Sequence, residues 1–320
     1  MKKIIKLLSG SILITLILSA VVFVSNQNQN LKVYFFDVGQ GDGILIRTPS
    51  HQNIVIDGGP DNSFIAKLGQ ALPFYDRTID LMVLTHPHDD HLFGLVEVLK
   101  RYRVKQVLST GVLHTTDAYL EWLSVIQDNK INFKTARAGQ TFMFAEVSLR
   151  VIYPFNDLSQ RPFDELNDSS VVTQLIYDQA KWLFMGDLEE AGEEEIMATS
   201  PVELKSNVLK VGHHGSETSS AEKFLRAVQA SYAVISVGAE NKFGHPSRRI
   251  IHRLERLGAQ ILRTDVLGDI VCISDGRQIW KNQKFYSLKM RKCFQTCMRL
   301  NLPRRALTLK RPWTAKPVWN

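Results

Sequence analysis

From Thr85 to His91 the chain reads Thr-His-Pro-His-Asp-Asp-His, which sets three imidazoles and two carboxylates within seven residues. Neutral imidazole and carboxylate both suit borderline divalent cations, so the residue types alone point to a metal site. His86 and His88 stand two apart and can face one ion, while the adjacent Asp90 and His91 can face a second. Two cations held roughly 3.5–4 Å apart lower the pKa of a shared water and neutralise charge building on an attacked centre. The same stretch also reads as a helix N-cap at Asp89 or Asp90, ahead of a helix running to Arg101.

Such a cluster needs a rigid support. The apolar run Asp80-Leu81-Met82-Val83-Leu84 lies directly before it, and a buried strand fixes the start of the loop that follows. The same arrangement recurs at Asp37, Asp57, Asp187, His213-His214 and Gly244-His245-Pro246, each at the downstream end of an apolar run. The repetition predicts that all of them line one edge of a sheet sandwich. Strands are expected over Val33–Val38, Gly43–Arg47, Asn53–Asp57, Leu81–Thr85, Val171–Tyr177, Lys181–Met185, Val208–Val211 and Tyr232–Val237. Apolar spacing predicts helices over Phe64–Ala71, His91–Arg101, Asp117–Asp128, Glu189–Met197, Ala221–Val228 and Pro246–Leu257. Strands alternating with helices in this way indicate an α/β layered fold.

The overall charge of +7 on 320 residues hides three regions. Residues 1–30 carry Lys2, Lys3 and Lys6 and no acid; residues 281–320 carry eleven Lys or Arg and no acid; residues 31–280 hold 25 basic and 32 acidic residues, a net of −7. The body, 31–280, therefore reads as one acidic globular domain, followed by a basic tail. Leu7–Val24 is eighteen uncharged residues, roughly 27 Å as a helix, close to the hydrocarbon thickness of a bilayer. With the lysines before it, the positive-inside bias leaves the N-terminus cytoplasmic and the body extracytoplasmic. Leu18-Ser19-Ala20 sets a bulky residue where signal peptidase prefers a small one, which favours an uncleaved membrane anchor; a cleaved signal would leave the body secreted. Residues 25–30 form a polar spacer. Three cysteines build no disulfide framework: Cys272 belongs in the core, and Cys293 and Cys297 lack the partners of a zinc site.

The run from His86 to His91 resembles the His-x-His-x-Asp-His motif of the metallo-β-lactamase fold. Further segments narrow the likeness: Phe36 to Asp42, Ile56-Asp57-Gly58-Gly59, Phe184 to Asp187, Leu209 to Ser216 and Gly244-His245-Pro246 resemble the soluble domain of the competence protein ComEC family, and the same pattern is similar to phosphorylcholine esterases. The resemblance spans about Leu31 to Ile279. It implies a four-layered αββα sandwich with two divalent ions at its rim, zinc or manganese, bridged by Asp187. It further implies His86, His88 and a third histidine on one ion, and Asp90, His91 and a late histidine on the other. The usual third histidine is replaced here by Asn167, so His213 is expected to complete the first site and His245 the second. His214 is then expected beside the ions as a donor to a substrate oxygen, with Asp90 and Asp187 as the catalytic carboxylates.

Around that site Asp37 and Asp57 read as hydrogen-bond supports for loop amides or ligand histidines. Gln40 and Asp42 either approach substrate or shape their Gly-rich turn. Asn167 and Ser170 either hold a phosphate or carbonyl oxygen or cap the following strand, and His114 is a candidate pocket wall. ComEC-like domains imply a nuclease and phosphorylcholine esterases a headgroup hydrolase, so the expected substrate is a phosphodiester, DNA included. A single hydrophobic segment supplies no multi-span channel, and DNA uptake by this chain alone is not expected. The alternatives are a hydrolase of a lactone, amide or headgroup ester, or an inactive binding module. An acidic body repels a polyanion away from the ions, so the basic tail, interleaved with Phe285, Tyr286, Phe294 and Trp313, either grips nucleic acid or touches lipid or nothing. Nothing in the sequence points to a protein partner.

Overall fold

The structure, a computed structural model, describes Thr15 and residues 30–163, 165–199 and 204–281. The anchor segment, apart from Thr15, and the basic tail with Cys293 and Cys297 lie outside the described residues. Among those described, no helix is long and apolar enough to cross a membrane.

The first half of the body runs β1 (Leu31–Phe35), β2 (Gly43–Arg47), β3 (Asn53–Gly58), α1 (Ser63–Ala71), β4 (Thr78–Ile79), β5 (Leu81–Val83), α2 (Asp89–Arg101), β6 (Arg103–Val104), β7 (Gln106–Ser109), α3 (Asp117–Asp128) and β8 (Asn132–Thr135). The second half runs β9 (Thr141–Phe144), β10 (Val147–Tyr153), β11 (Val172–Tyr177), β12 (Ala180–Phe184), α4 (Glu190–Thr199), β13 (Val208–Lys210), α5 (Glu222–Val228) and β14 (Tyr232–Ile235). It closes with α6 (Arg248–Arg256), β15 (Gln260–Arg263), α7 (Thr264–Leu267), β16 (Ile270–Ser274) and β17 (Ile279–Lys281).

These strands form an eight-stranded sheet ordered β17-β16-β1-β2-β3-β5-β7-β8 and a seven-stranded sheet ordered β15-β14-β13-β12-β11-β10-β9. Side chains alternate across each strand, so Val33 and Phe35 enter the core between the sheets while Tyr34 and Phe36 face helices α1–α3. The second sheet repeats the arrangement: Trp182 and Phe184 point inward, and Leu183 and Met185 pack with Ile196, Phe224 and Leu254 of α4–α6. Both sheets are therefore covered on both faces, and the layers run α, β, β, α as expected. β3, β5, β7 and β8 are mutually parallel, as are β12 to β15. Parallel neighbours bring the loops after β3, β5, β12 and β13 to the same rim.

Two close approaches position the first-half loops. A Cβ built on Gly94 of α2 would lie 1.9 Å from the Gly58 carbonyl oxygen, so only glycine lets α2 sit that near the end of β3. Gly41, at φ +134, admits the Asp90 carbonyl, which accepts from the Asp42 N–H at 3.2 Å.

Candidate metal centre

Asp57, at the end of β3, organises the first half of the site. One carboxylate oxygen accepts the Thr85 N–H at 2.8 Å; the other accepts the Thr85 hydroxyl at 2.7 Å and His91 Nδ1–H at 2.8 Å. Because the Thr85 hydroxyl spends its proton on Asp57, its oxygen is left to accept from His86 Nδ1 at 3.0 Å. His214 Nδ1 donates in the same way to the Ser236 carbonyl at 2.9 Å. In all three histidines the hydrogen bond on the outward nitrogen fixes the ring so that Nε2 faces inward, where a cation would take its lone pair in place of a proton.

Those inward atoms converge. Asp187 Oδ2 lies 3.3 Å from both His91 Nε2 and His214 Nε2, and Asp90 Oδ2 lies 3.4 Å from His214 Nε2 and 3.8 Å from His91 Nε2. His86 Nε2 stands 2.9 Å from His88 Nδ1. Ligand atoms of His86, His91 and Asp187 all fall within 4.8 Å of one another, as do those of Asp90, His91 and His214. His91 Nε2, His214 Nε2 and Asp187 Oδ1 are buried and have no hydrogen-bond partner. Buried polar atoms are ordinarily paired, so a cluster of imidazole and carboxylate left open toward one point fits divalent cations.

Residues 36–239 match the family model described as Metallo-beta-lactamase superfamily. The chain belongs to that superfamily. Among curated relatives, ComE operon protein 3 of Bacillus subtilis (strain 168) is 28% identical over 256 residues, covering 75% of this chain and 32% of that protein. Competence protein ComA of Neisseria gonorrhoeae is 29% identical over 245 residues, covering 74% of this chain and 31% of that protein. The chain thus spans about a third of the length of these relatives. Among solved structures, CmlA, a diiron β-hydroxylase from Streptomyces venezuelae, aligns with a TM-score of 0.50 at 14% identity, over 80% of this chain and 55% of that one, a likeness of fold alone.

Within this superfamily frame several expected residues lie elsewhere. His214, expected beside the ions, stands inside the second ligand group. His88, expected as a ligand, stands outside both groups with its Nδ1 against His86 Nε2. His213 and His245, also expected as ligands, stand outside them too: His213 Nδ1 lies 3.1 Å from Glu189 Oε1 and 3.3 Å from Thr218 Oγ1, and the His245 ring packs edge-on to His213 at 5.4 Å. The cause is local backbone. His213 and His214 both adopt left-handed φ, +46° and +52°, and the turn sends the adjacent rings in different directions, 6.2 Å apart at 65°. Ser170, expected to hold substrate, is buried and its hydroxyl accepts the Asp187 N–H at 3.1 Å, so it fastens the loop of the central carboxylate. Gln40 Oε1 accepts the Gly238 N–H at 3.3 Å and shapes the contact between two loops. Asn167 donates to Glu189 at 3.2 Å, and its own Oδ1 is buried without a partner. His114 borders a cavity of about 850 Å³ with Tyr119, Leu120 and Phe133.

Two supports were not foreseen. Glu189 Oε1 gathers Asn167, His213 and Thr218. Lys210, fully buried at the end of β13, places Nζ 2.5 Å from Asp42 Oδ2, whose other oxygen lies 3.6 Å from His214 Nδ1. A lysine within the apolar run Val208-Leu209-Lys210-Val211 is itself the sequence signal for a buried counter-charge.

Charge divides the histidines into two kinds. Burial lowers the pKa of His91 and His214, but Asp187 leads the carboxylates that outweigh it, holding His91 well above its ordinary value and His214 at about 10. Burial raises Asp187 and Asp90, and the facing imidazoles reverse this and hold both carboxyls low. His86 and His88 are pushed down by burial, and His245 falls to about 4 through burial and its neighbours His213 and His214. Without cations, protons on His91 and His214 supply the positive charge that the carboxylates demand, and cation binding releases them.

Proposed function

We propose that the chain is a dinuclear metal-dependent hydrolase of phosphodiesters, anchored in the cell membrane by Leu7–Val24 with its body extracytoplasmic, or secreted if that segment is cleaved. One observation carries the reading: His91, His214 and Asp90 gather around Asp187, and His91 Nε2, His214 Nε2 and Asp187 Oδ1 are buried and open. His86 and His88 with Asp187 would hold one zinc or manganese ion, and Asp90, His91 and His214 with Asp187 the other. A pair of divalent cations, when bound, acidifies water and offsets charge on the attacked phosphorus.

The chain's own residues supply orientation and donors. Asp57, Thr85 and the Ser236 carbonyl fix the ring planes and tautomers of His91, His86 and His214. His245, with a pKa near 4, is neutral at pH 7 and can offer a hydrogen bond to a substrate oxygen, while acid catalysis needs a group that holds its proton at that pH. Glu189 keeps the His213 ring at the rim, where its other nitrogen faces Asn167 at 3.5 Å. The phosphodiester class is supported by the likeness to relatives named for competence and, at 26% identity, for recombination in Haemophilus influenzae, and a ComEC-like nuclease is its most specific form.

The test uses the full chain in detergent with zinc or manganese, against a chromogenic phosphodiester, plasmid DNA and a lactone. Phosphodiester cleavage that is lost on chelation and in both His86→Ala and Asp187→Ala is the expected result. Turnover of the lactone alone would favour a second reading, hydrolysis of a lactone, amide or headgroup ester, which draws on the apolar cavity beside His114.

A further inference from the structure

Phe243 is 69% exposed, yet its ring is not loose in solvent. It stacks on His245 with centroids 5.7 Å apart and planes at 26°. His245 in turn meets His213 edge-on at 5.4 Å, and His213 adjoins His214 of the ligand cluster, so a ladder of rings runs from the metal centre to the surface. The ladder has a rigid base. Asn241 grips both sides of the His245 backbone, donating to its carbonyl at 2.8 Å and accepting its N–H at 3.0 Å. Pro246 packs on Gly215, where an added Cβ would come within 2.7 Å of it.

One face of the exposed ring is already occupied by His245. The other is a flat apolar surface at the outer end of the ladder that leads through His245 and His213 to His214. We propose that the outer face of Phe243 stacks a nucleobase of the strand whose phosphodiester lies at the metal centre. The inference rests on the phosphodiester reading and adds to it the class of substrate: a single-stranded or unpaired nucleotide, because a base within a duplex has no free face. The body carries a net −7 and repels a polyanion at long range, so any hold on a strand beyond the cations must come from short-range contacts, and base stacking is one that tolerates sequence.

The experiment compares the full-length, cation-loaded protein with Phe243→Ala and Phe243→Trp on an oligothymidylate and on an abasic oligomer of the same length. The preference for the base-bearing strand, taken as the ratio of the two kcat/KM values, is expected to fall about 5- to 100-fold in Phe243→Ala and to be kept in Phe243→Trp. As a readout independent of turnover, indole emission gained in Phe243→Trp is expected to be quenched by oligothymidylate and not by the abasic strand. An unchanged ratio in Phe243→Ala, or no selective quenching, overturns the stacking site while leaving phosphodiester hydrolysis intact. Selective quenching without cleavage of either strand overturns the hydrolase reading and keeps the stacking site. Quenching by phosphocholine and not by oligothymidylate overturns the nucleobase and assigns the ring to a quaternary ammonium.

Discussion

At the residue scale, the cluster works because each inward nitrogen is matched by a hydrogen bond on the outward one. Asp57 does this for His91 while also holding Thr85, so Asp57→Asn is expected to weaken metal binding about 10- to 100-fold, measured by competition with a chromophoric chelator. An unchanged affinity would show that the ring is held by other contacts. The adjacent histidines provide a second prediction. His214→Ala is expected to lose one equivalent of bound zinc by elemental analysis, and His245→Ala to keep both; the reverse pattern would return the late ligand to His245. The sequence made His86, His88, Asp90 and His91 legible because they crowd one loop after a buried strand. It could not separate His213 from His214, since adjacent residues diverge only through backbone torsions that no spacing encodes. Glu189 was illegible for a different reason: in the acidic stretch Asp187 to Glu195 nothing distinguishes the one carboxylate that turns toward Asn167 and Thr218.

At the scale of elements, the rim depends on how closely α2 lies against β3. Gly94→Ala would drive a methyl into the Gly58 carbonyl, and the helix start that carries Asp90 and His91 must then shift. The expected result is a loss of roughly 1–3 kcal/mol in stability by denaturant titration, together with weaker metal binding. Gly69→Ala in α1 is the control, because a Cβ there meets nothing within 4 Å and alanine is the better helix former. Equal stability of the two variants would show that α2 can move away without consequence. β10, seven residues long with Val147-Ser-Leu-Arg-Val alternating, was missed, but other patterned elements were readable: β2 and α3 begin and end where apolar spacing sets them, and the hairpin of β11 and β12 differs by a residue at its ends. β8 and β9 were not, because Asn132-Phe-Lys-Thr and Thr141-Phe-Met-Phe are short outermost strands with alternate residues exposed, and their pairing is dictated by β7 and β10. Strand β15 is equally short and likewise outermost, and it takes its place from β14.

At the scale of the whole molecule, the residues proposed for the centre come from both halves of the fold, His86, His88, Asp90 and His91 from the first and Asp187 and His214 from the second. Its electrostatics therefore couple to folding. The folded pKa of His214, about 10, exceeds the ordinary 6.5, so in the metal-free protein its contribution to stability is complete below about pH 6.5 and is lost as pH rises through 10. His91 is shifted in the same direction. Between pH 7 and 8.5 the thermal midpoint of the metal-free protein is expected to fall, and saturating zinc to flatten the fall, since those imidazoles then fold without their protons. A flat profile without metal would contradict the charge balance assigned to Asp187. The order of layers followed from the family resemblance, because two polar-rimmed sheets give no sign in sequence of which faces meet. One contact between the halves uses neither a proposed ligand nor a cation: Asp42, from the turn after β1, meets Lys210, at the end of β13, and each neutralises the other. Withdrawing the ions thus leaves a bolt still drawn across the seam. In a chelated sample amide exchange is expected to quicken in the ligand loops and to stay slow at the seam, leaving emptied molecules intact for refilling; equal quickening at the seam would show that the pair does not hold it.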